Sequence, residues 1–89
     1  HKATQNRFNA PIEKNIGRTW LASQCDLSSE GGVSREHFRF REINGKIMIE
    51  DLKSTNGTFI DGFRLAPNHP ETITPGQSFK IASDEFELK

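Results

Sequence analysis

A chain of 89 residues suffices for one domain with a modest core. Twelve basic and twelve acidic side chains cancel, which argues against general nucleic-acid binding, since that rests on many phosphate contacts and a basic face. Apolar residues make up only 33% of the chain, seven Phe hold much of that area, and no stretch has the length of a membrane span or the form of a signal peptide.

The chain opens on His1 rather than Met, so residues 1–89 are expected to be a single domain excised from a longer protein. Trp20 and Leu21 follow the fragment Ile16-Gly17-Arg18. They read as core residues or, if exposed on a loop, as an interface. Cys25 has no partner for an internal disulfide, which points to a reducing compartment, and it is expected to act as a small buried apolar residue. Residues 28 to 34 form a Ser- and Gly-rich loop.

The first hairpin is legible to the residue. Asn44-Gly45 is a type I′ turn signal with both residues at positive φ. It pairs Ile43 with Lys46, Arg39 with Glu50, Phe40 with Ile49 and Phe38 with Asp51. Phe38, Phe40, Ile47 and Ile49 then share one face. Asp61-Gly62 is a second turn of this kind, pairing Ile60 with Phe63 and Thr58 with Leu65. Residues 66 to 76 form an irregular connection. Pro75-Gly76 turns into a strand over Ser78 to Ala82, and a last strand runs from Glu85 to Leu88. No window sustains helical apolar spacing, so short strands with frequent turns predict an all-β sandwich.

Two clusters about twenty residues apart carry the chemistry: Val33-Ser34-Arg35-Glu36-His37 and Asp51-Leu52-Lys53-Ser54-Thr55-Asn56-Gly57-Thr58, the second running on to Gly62. With Arg18 they bring two guanidiniums, a serine hydroxyl and an asparagine amide to turns, the donors that an exposed dianion needs. Each has an ordinary reading too. A lone arginine is a surface salt-bridge partner. Ser34 and Asn56 are common turn residues, and Gly31-Gly32 is loop flexibility or a close approach of backbone. No catalytic set emerges. Ser34, His37 and Asp51 can be named as a triad by residue type only. His1, His37, His69 and Cys25 lack metal-ligand spacing, and neither a Gly-x-Ser-x-Gly elbow nor a P-loop occurs. Asn56-Gly57-Thr58 spells a glycosylation sequon, which is accidental in a cytosolic domain.

Three blocks in this order resemble the forkhead-associated (FHA) family over roughly residues 12 to 88. Gly17-Arg18 is similar to the family's Gly-Arg pair at a strand end. Ser34-Arg35 with His37 is similar to its Ser-Arg-x-His loop, and Ser54-Thr55-Asn56-Gly57-Thr58 to its Ser-x-Asn-Gly-Thr loop. Ile73-Thr74-Pro75-Gly76-Gln77, with Phe79, Ile81 and Phe86, is similar to its closing strands. The segment before Ile16 matches the pattern poorly, and the chain departs from it in three further places. Extra residues lie between Arg18 and Asp26, Gln77 stands where the family often has Asp, and Ala82 where it often has Gly.

The resemblance implies an all-β fold, a two-sheet antiparallel β-sandwich of about eleven short strands. It implies a non-catalytic module, without cofactor or metal, that binds a threonine-phosphorylated protein or peptide inside the cell, in cytoplasm or nucleus, with no nucleic acid or membrane as partner. By the resemblance Arg18, Ser34 and Arg35 bind the phosphate. Asn56 and Thr55 bind the peptide backbone, and Gly17, His37 and Gly57 support the site, His37 as a brace rather than a catalyst. The alternative is a phosphate-independent FHA-like scaffold or dimerisation domain, to which an exposed Trp20 and Leu21 would contribute.

Overall fold

The structure is a computed structural model and describes residues 6–8, 11–24, 27 and 30–88. Cys25 and the start of the loop over 28 to 34 lie outside the described residues. The chain forms β1 (Asn6–Phe8), β2 (Asn15–Ile16), α1 (Arg18–Gln24), a 3-10 turn (Glu30–Gly32), β3 (Phe38–Ile43) and β4 (Lys46–Asp51). It continues through β5 (Thr58–Ile60), β6 (Phe63–Arg64), β7 (Glu71–Thr72), β8 (Ser78–Ile81) and β9 (Asp84–Leu88).

Two sheets result, one in the order β1-β9-β8-β5-β6 and the other β2-β3-β4-β7. The expected two-sheet β-sandwich is thus present, with two corrections. Among the described residues there are nine strands rather than about eleven. Among the described residues the strand-to-strand pairings are antiparallel except that β1 runs parallel to β9, with Asn6 beside Phe86.

The β3–β4 hairpin has the predicted register throughout, from Ile43 opposite Lys46 to Phe38 opposite Asp51. Asn44 and Gly45 have φ of 53° and 78°, as a type I′ turn requires. Asp61 and Gly62 repeat this at 52° and 82°, pairing Ile60 with Phe63, and Leu65 N–H donates to Thr58 O at 2.8 Å.

Alternation along the strands puts one face of each sheet inward. Phe38, Phe40 and Ile49 meet Ile60, Phe79, Ile81, Phe86 and Leu88 in one buried cluster. Ile47 packs against it part-buried, as its place on the Phe38–Phe40 face requires. Phe79 is the hub, with ring centroids 5.6–5.8 Å from Phe38, Phe40 and Phe86. Four phenylalanines therefore bridge the sheets, each worth roughly 1.5–3 kcal/mol of burial.

Three connections differ from the sequence expectation. Arg18–Gln24 is a helix of 7 residues where no helix was expected. Arg, Leu, Ala and Gln favour the conformation, and Leu21 N–H closes on Gly17 O at 3.0 Å. So short a helix is marginal by itself. Tertiary packing holds this one, since Leu21 is fully buried in the core and Trp20 packs part-buried against it. The pair therefore does not form an exposed interface loop. The connection 66 to 76 contains β7, which adds to the edge of β4 with Met48 opposite Thr72. Ala82, expected as the end of a strand, lies in the turn between β8 and β9 with φ 57°.

Candidate functional site

The site is assembled from three chain segments at one end of the sandwich: the β2–α1 junction, residues 31–37, and the β4–β5 loop. Backbone bonds join the first two. Arg18 N–H donates to Ser34 O at 3.1 Å and His37 N–H to Ile16 O at 2.9 Å. Between these bonds Gly17 is packed so closely that a Cβ would lie 1.7 Å from Arg35 O. Only glycine permits that approach.

His37 ties the second segment to the third. It is fully buried. Ser34 N–H donates to its Nδ1 at 3.0 Å, and its Nε2 lies 2.8 Å from Gly57 O. A backbone N–H only donates and a carbonyl only accepts. Both bonds therefore need the neutral ring with its hydrogen on Nε2. Burial pushes the His37 pKa below its ordinary 6.5, with Arg64 adding to that, while the Gly57 bond and Asp51 oppose it. The ring is a neutral strut.

The β4–β5 loop is built on Asp51. Its carboxylate is 2% exposed and accepts Ser54 N–H at 3.0 Å, Ser54 Oγ–H at 2.5 Å and Thr58 Oγ1–H at 2.7 Å. Ser54 Oγ in turn accepts Gly57 N–H at 3.0 Å. Gly57, at φ 92°, turns the chain back into β5. Of this framework the sequence reading singled out Gly57 as support; Asp51 is the addition, and its signal in the sequence is that the hairpin register places a charged residue on the core face opposite Phe38.

The side chains singled out from the sequence hang on this frame. Thr55 N–H donates to Ser34 Oγ at 3.1 Å, which leaves the Ser34 hydroxyl proton for another acceptor. Asn56 Nδ2 donates to Gly32 O at 2.8 Å, so the amide is oriented while Oδ1 remains available. Arg18 uses its Nε on Val33 O at 3.0 Å, and Arg35 is exposed. The structure thus gathers Gly17, Arg18, Ser34, Arg35, His37, Thr55, Asn56 and Gly57 around linked loops. Sequence reading also missed Arg64, whose Nη2 donates to Ser54 O at 3.5 Å and Thr55 O at 3.3 Å. No local pattern marks it.

The charges divide in a telling way. Arg39 and Arg41 on β3 are neutralised by Glu50 and Glu13, at 3.1 to 3.7 Å. Arg18, Arg35 and Arg64 have no carboxylate partner among the described residues. Among the described residues, then, Arg18 and Arg35 are guanidiniums whose chemistry suits an anion, while Arg64 faces the backbone carbonyls of Ser54 and Thr55.

The FHA-domain family model matches residues 14–82. The chain belongs to the FHA family. Vacuolar protein sorting-associated protein 64 of Saccharomyces cerevisiae is 29% identical over 91 residues, which cover 88% of this chain and 15% of that protein. The chain thus spans a small part of that relative. The solution structure of the FHA domain of an Arabidopsis thaliana hypothetical protein has the same fold, with a TM-score of 0.64 at 22% identity over 92% of this chain and 71% of that one.

Membership makes the chain a phosphorylation-dependent protein-interaction module, of a family that is in general non-catalytic and binds phosphorylated proteins. The nameable triad is not assembled as one. His37 takes the backbone N–H of Ser34, and Asp51 binds Ser54 and Thr58. Among the described residues no helix is long and apolar enough to cross a membrane.

Proposed function

We propose that this FHA domain reads phosphothreonine in a partner protein inside the cell, after a Ser/Thr kinase has acted. Arg18, Ser34 and Arg35 take the phosphate, and Asn56 with Thr55 fixes the peptide backbone beside it. The observation that carries the reading is that Arg18 and Arg35 have no carboxylate partner among the described residues, on the very loops that His37 and Ser34 lock together. A phosphate brings nearly two charges and three acceptor oxygens to these donors. Asn56 Oδ1 accepts a peptide N–H while Nδ2 remains ordered by Gly32.

The preference for threonine rests on the family resemblance and on one methyl group. Burying that methyl is worth about 0.8 kcal/mol, roughly fourfold in affinity. Matched peptides carrying phosphothreonine, phosphoserine and unmodified threonine decide the matter by fluorescence anisotropy. The phosphothreonine peptide should bind several-fold tighter than its phosphoserine twin, and the unmodified peptide negligibly. Equal binding of the two phosphopeptides removes the preference for threonine and keeps the phosphate site. Equal binding of all three overturns phosphate reading.

A further inference from the structure

Arg64 reaches the recognition loop from the side, and its contacts bear on the backbone rather than on a ligand. The carbonyls of Ser54 and Thr55 converge on one nitrogen, Nη2, at 3.5 and 3.3 Å. A second observation fixes its seat. A Cβ on Gly57 would stand 2.9 Å from Arg64 Nε, so the guanidinium lies directly on the Gly57 backbone. It pays for no ion pair among the described residues, so its charge is directed at these peptide dipoles.

In a trans peptide the carbonyl of one residue and the N–H of the next point in opposite directions. Among the described residues there is no cis peptide. When the Ser54 carbonyl faces Arg64, the Thr55 N–H must face away, and it does, donating to Ser34 Oγ at 3.1 Å. The Thr55 carbonyl faces the same nitrogen, so the Asn56 N–H is turned to the same side as Ser34. That N–H has no hydrogen-bond acceptor among the described residues. Successive backbone N–H groups aimed one way form a concavity that suits an anion. A cation at their carbonyl ends polarises them further.

We infer that Arg64 is a positioning residue that turns the backbone N–H of Asn56 toward the phosphate, adding a main-chain donor to the side chains of Arg18, Ser34 and Arg35. The inference rests on the reading of this site as a phosphate reader. It gives Arg64 no contact with the ligand. Its role is to set two peptide planes before the ligand arrives, so that no reorientation is needed on binding.

The test uses the chain labelled with nitrogen-15 and two probes, inorganic phosphate and a capped Ala-phosphothreonine-Ala tripeptide, with Ala-Thr-Ala as control. In the parent chain the Asn56 amide proton should move strongly downfield with either phosphate probe and remain still with the control. Arg64→Gln should bind the phosphotripeptide about tenfold more weakly, the effect of about 1.4 kcal/mol, and lose most of the Asn56 shift while its melting temperature is preserved. Arg64→Lys, which keeps the charge without the planar fork, should fall between.

A still Asn56 amide in the parent, with Arg18, Ser34 and Arg35 responding, overturns this inference and leaves the phosphate site standing. Unchanged affinity and an unchanged Asn56 shift in Arg64→Gln overturn it equally. No phosphate response anywhere in the parent overturns the site reading itself. If Arg64→Gln does not fold, the parent's Asn56 amide and Arg64→Lys still decide.

Discussion

Gly17→Ala isolates one contact. The backbone at Gly17 does not adopt a positive φ, so alanine is conformationally acceptable there. If glycine served flexibility alone, alanine would stabilise the fold by about 0.4–1 kcal/mol through the unfolded chain. The packing demands the opposite sign. The new Cβ would meet Arg35 O at 1.7 Å, Arg35 C at 2.4 Å and Ser34 O at 2.9 Å, all of them backbone atoms with no side chain to swing aside. To relieve that, the β2–α1 junction must part from residues 34–35 by more than an ångström, which ordinary van der Waals contact requires. Two backbone bonds span this seam, Arg18 N–H to Ser34 O and His37 N–H to Ile16 O. Losing both, with their buried groups left unpaired, costs about 3 kcal/mol or more. For a domain of this size that is a fall of at least about 12 °C in melting temperature. Arg18 also moves away from Ser34 and Arg35, so phosphopeptide affinity should drop even where the variant is folded. Thermal unfolding followed by circular dichroism measures the first effect, and anisotropy at a temperature well below both transitions measures the second. A melting curve at or above the parent's would refute the reasoning, because it would mean that Gly17 is not held against Arg35.

Three more predictions follow from the same geometry. Arg18→Ala should weaken phosphopeptide binding by about 1.5–3 kcal/mol, the scale of hydrogen bonds to a charged group, with the fold intact, and Arg18→Lys should restore only part of it. Isothermal titration checks both, and normal binding by the alanine variant removes Arg18 from the site. The buried neutral His37 should make stability depend on pH. Its folded pKa lies below the unfolded value of about 6.5, so the contribution is complete above pH 6.5 and is lost as pH falls from there through the folded pKa, because the unfolded chain then binds the proton more readily. Denaturant unfolding across this range should give His37→Gln a flatter profile than the parent, and equal slopes would contradict the neutral strut. Ala82 occupies a left-handed backbone at φ 57°, which suits glycine. Ala82→Gly should therefore stabilise the fold by about 0.5–1 kcal/mol after the lost methyl and added chain entropy are allowed for, and a lower melting temperature would contradict it.

The parts of the fold legible in advance are those fixed by neighbours in sequence. Asn44-Gly45 and Asp61-Gly62 dictate positive φ at both turn positions, and the turn sets the register of everything beyond it. The site segments were legible for a different reason. Ser34, Arg35, Thr55 and Asn56 lie in short runs whose composition suits turns and anions. Asp51 was half legible. The register put a carboxylate on the core face, and such a group needs donors, which the chain supplies from Ser54 and Thr58. Gly17 was marked only by the resemblance of Gly17-Arg18 to the family's Gly-Arg pair, and Arg64 by nothing. What constrains Gly17 is a carbonyl eighteen positions away, and Arg64 acts across a hairpin on peptide planes that no residue pattern reveals.

The helix after Arg18 was invisible because one buried leucine does not make a periodicity. Its presence beside the site still requires explanation, since extra residues at a binding loop ordinarily disturb it. The backbone bonds supply one. Arg18 is at once the first residue of α1 and a strand-end residue whose N–H is held by Ser34 O, while the carbonyl of Gly17 accepts the first helical bond from Leu21. The joint is thus fixed on both sides before the helix begins. Leu21 then buries completely, so the added turns carry their own anchor and do not draw on contacts that hold the recognition loops. A helix anchored by its own apolar residue, leaving from a backbone already locked by Gly17, can occupy this connection without displacing Arg18 from Ser34 and Arg35. The closeness that forbids a side chain at Gly17 is therefore also what fixes the point from which the helix departs.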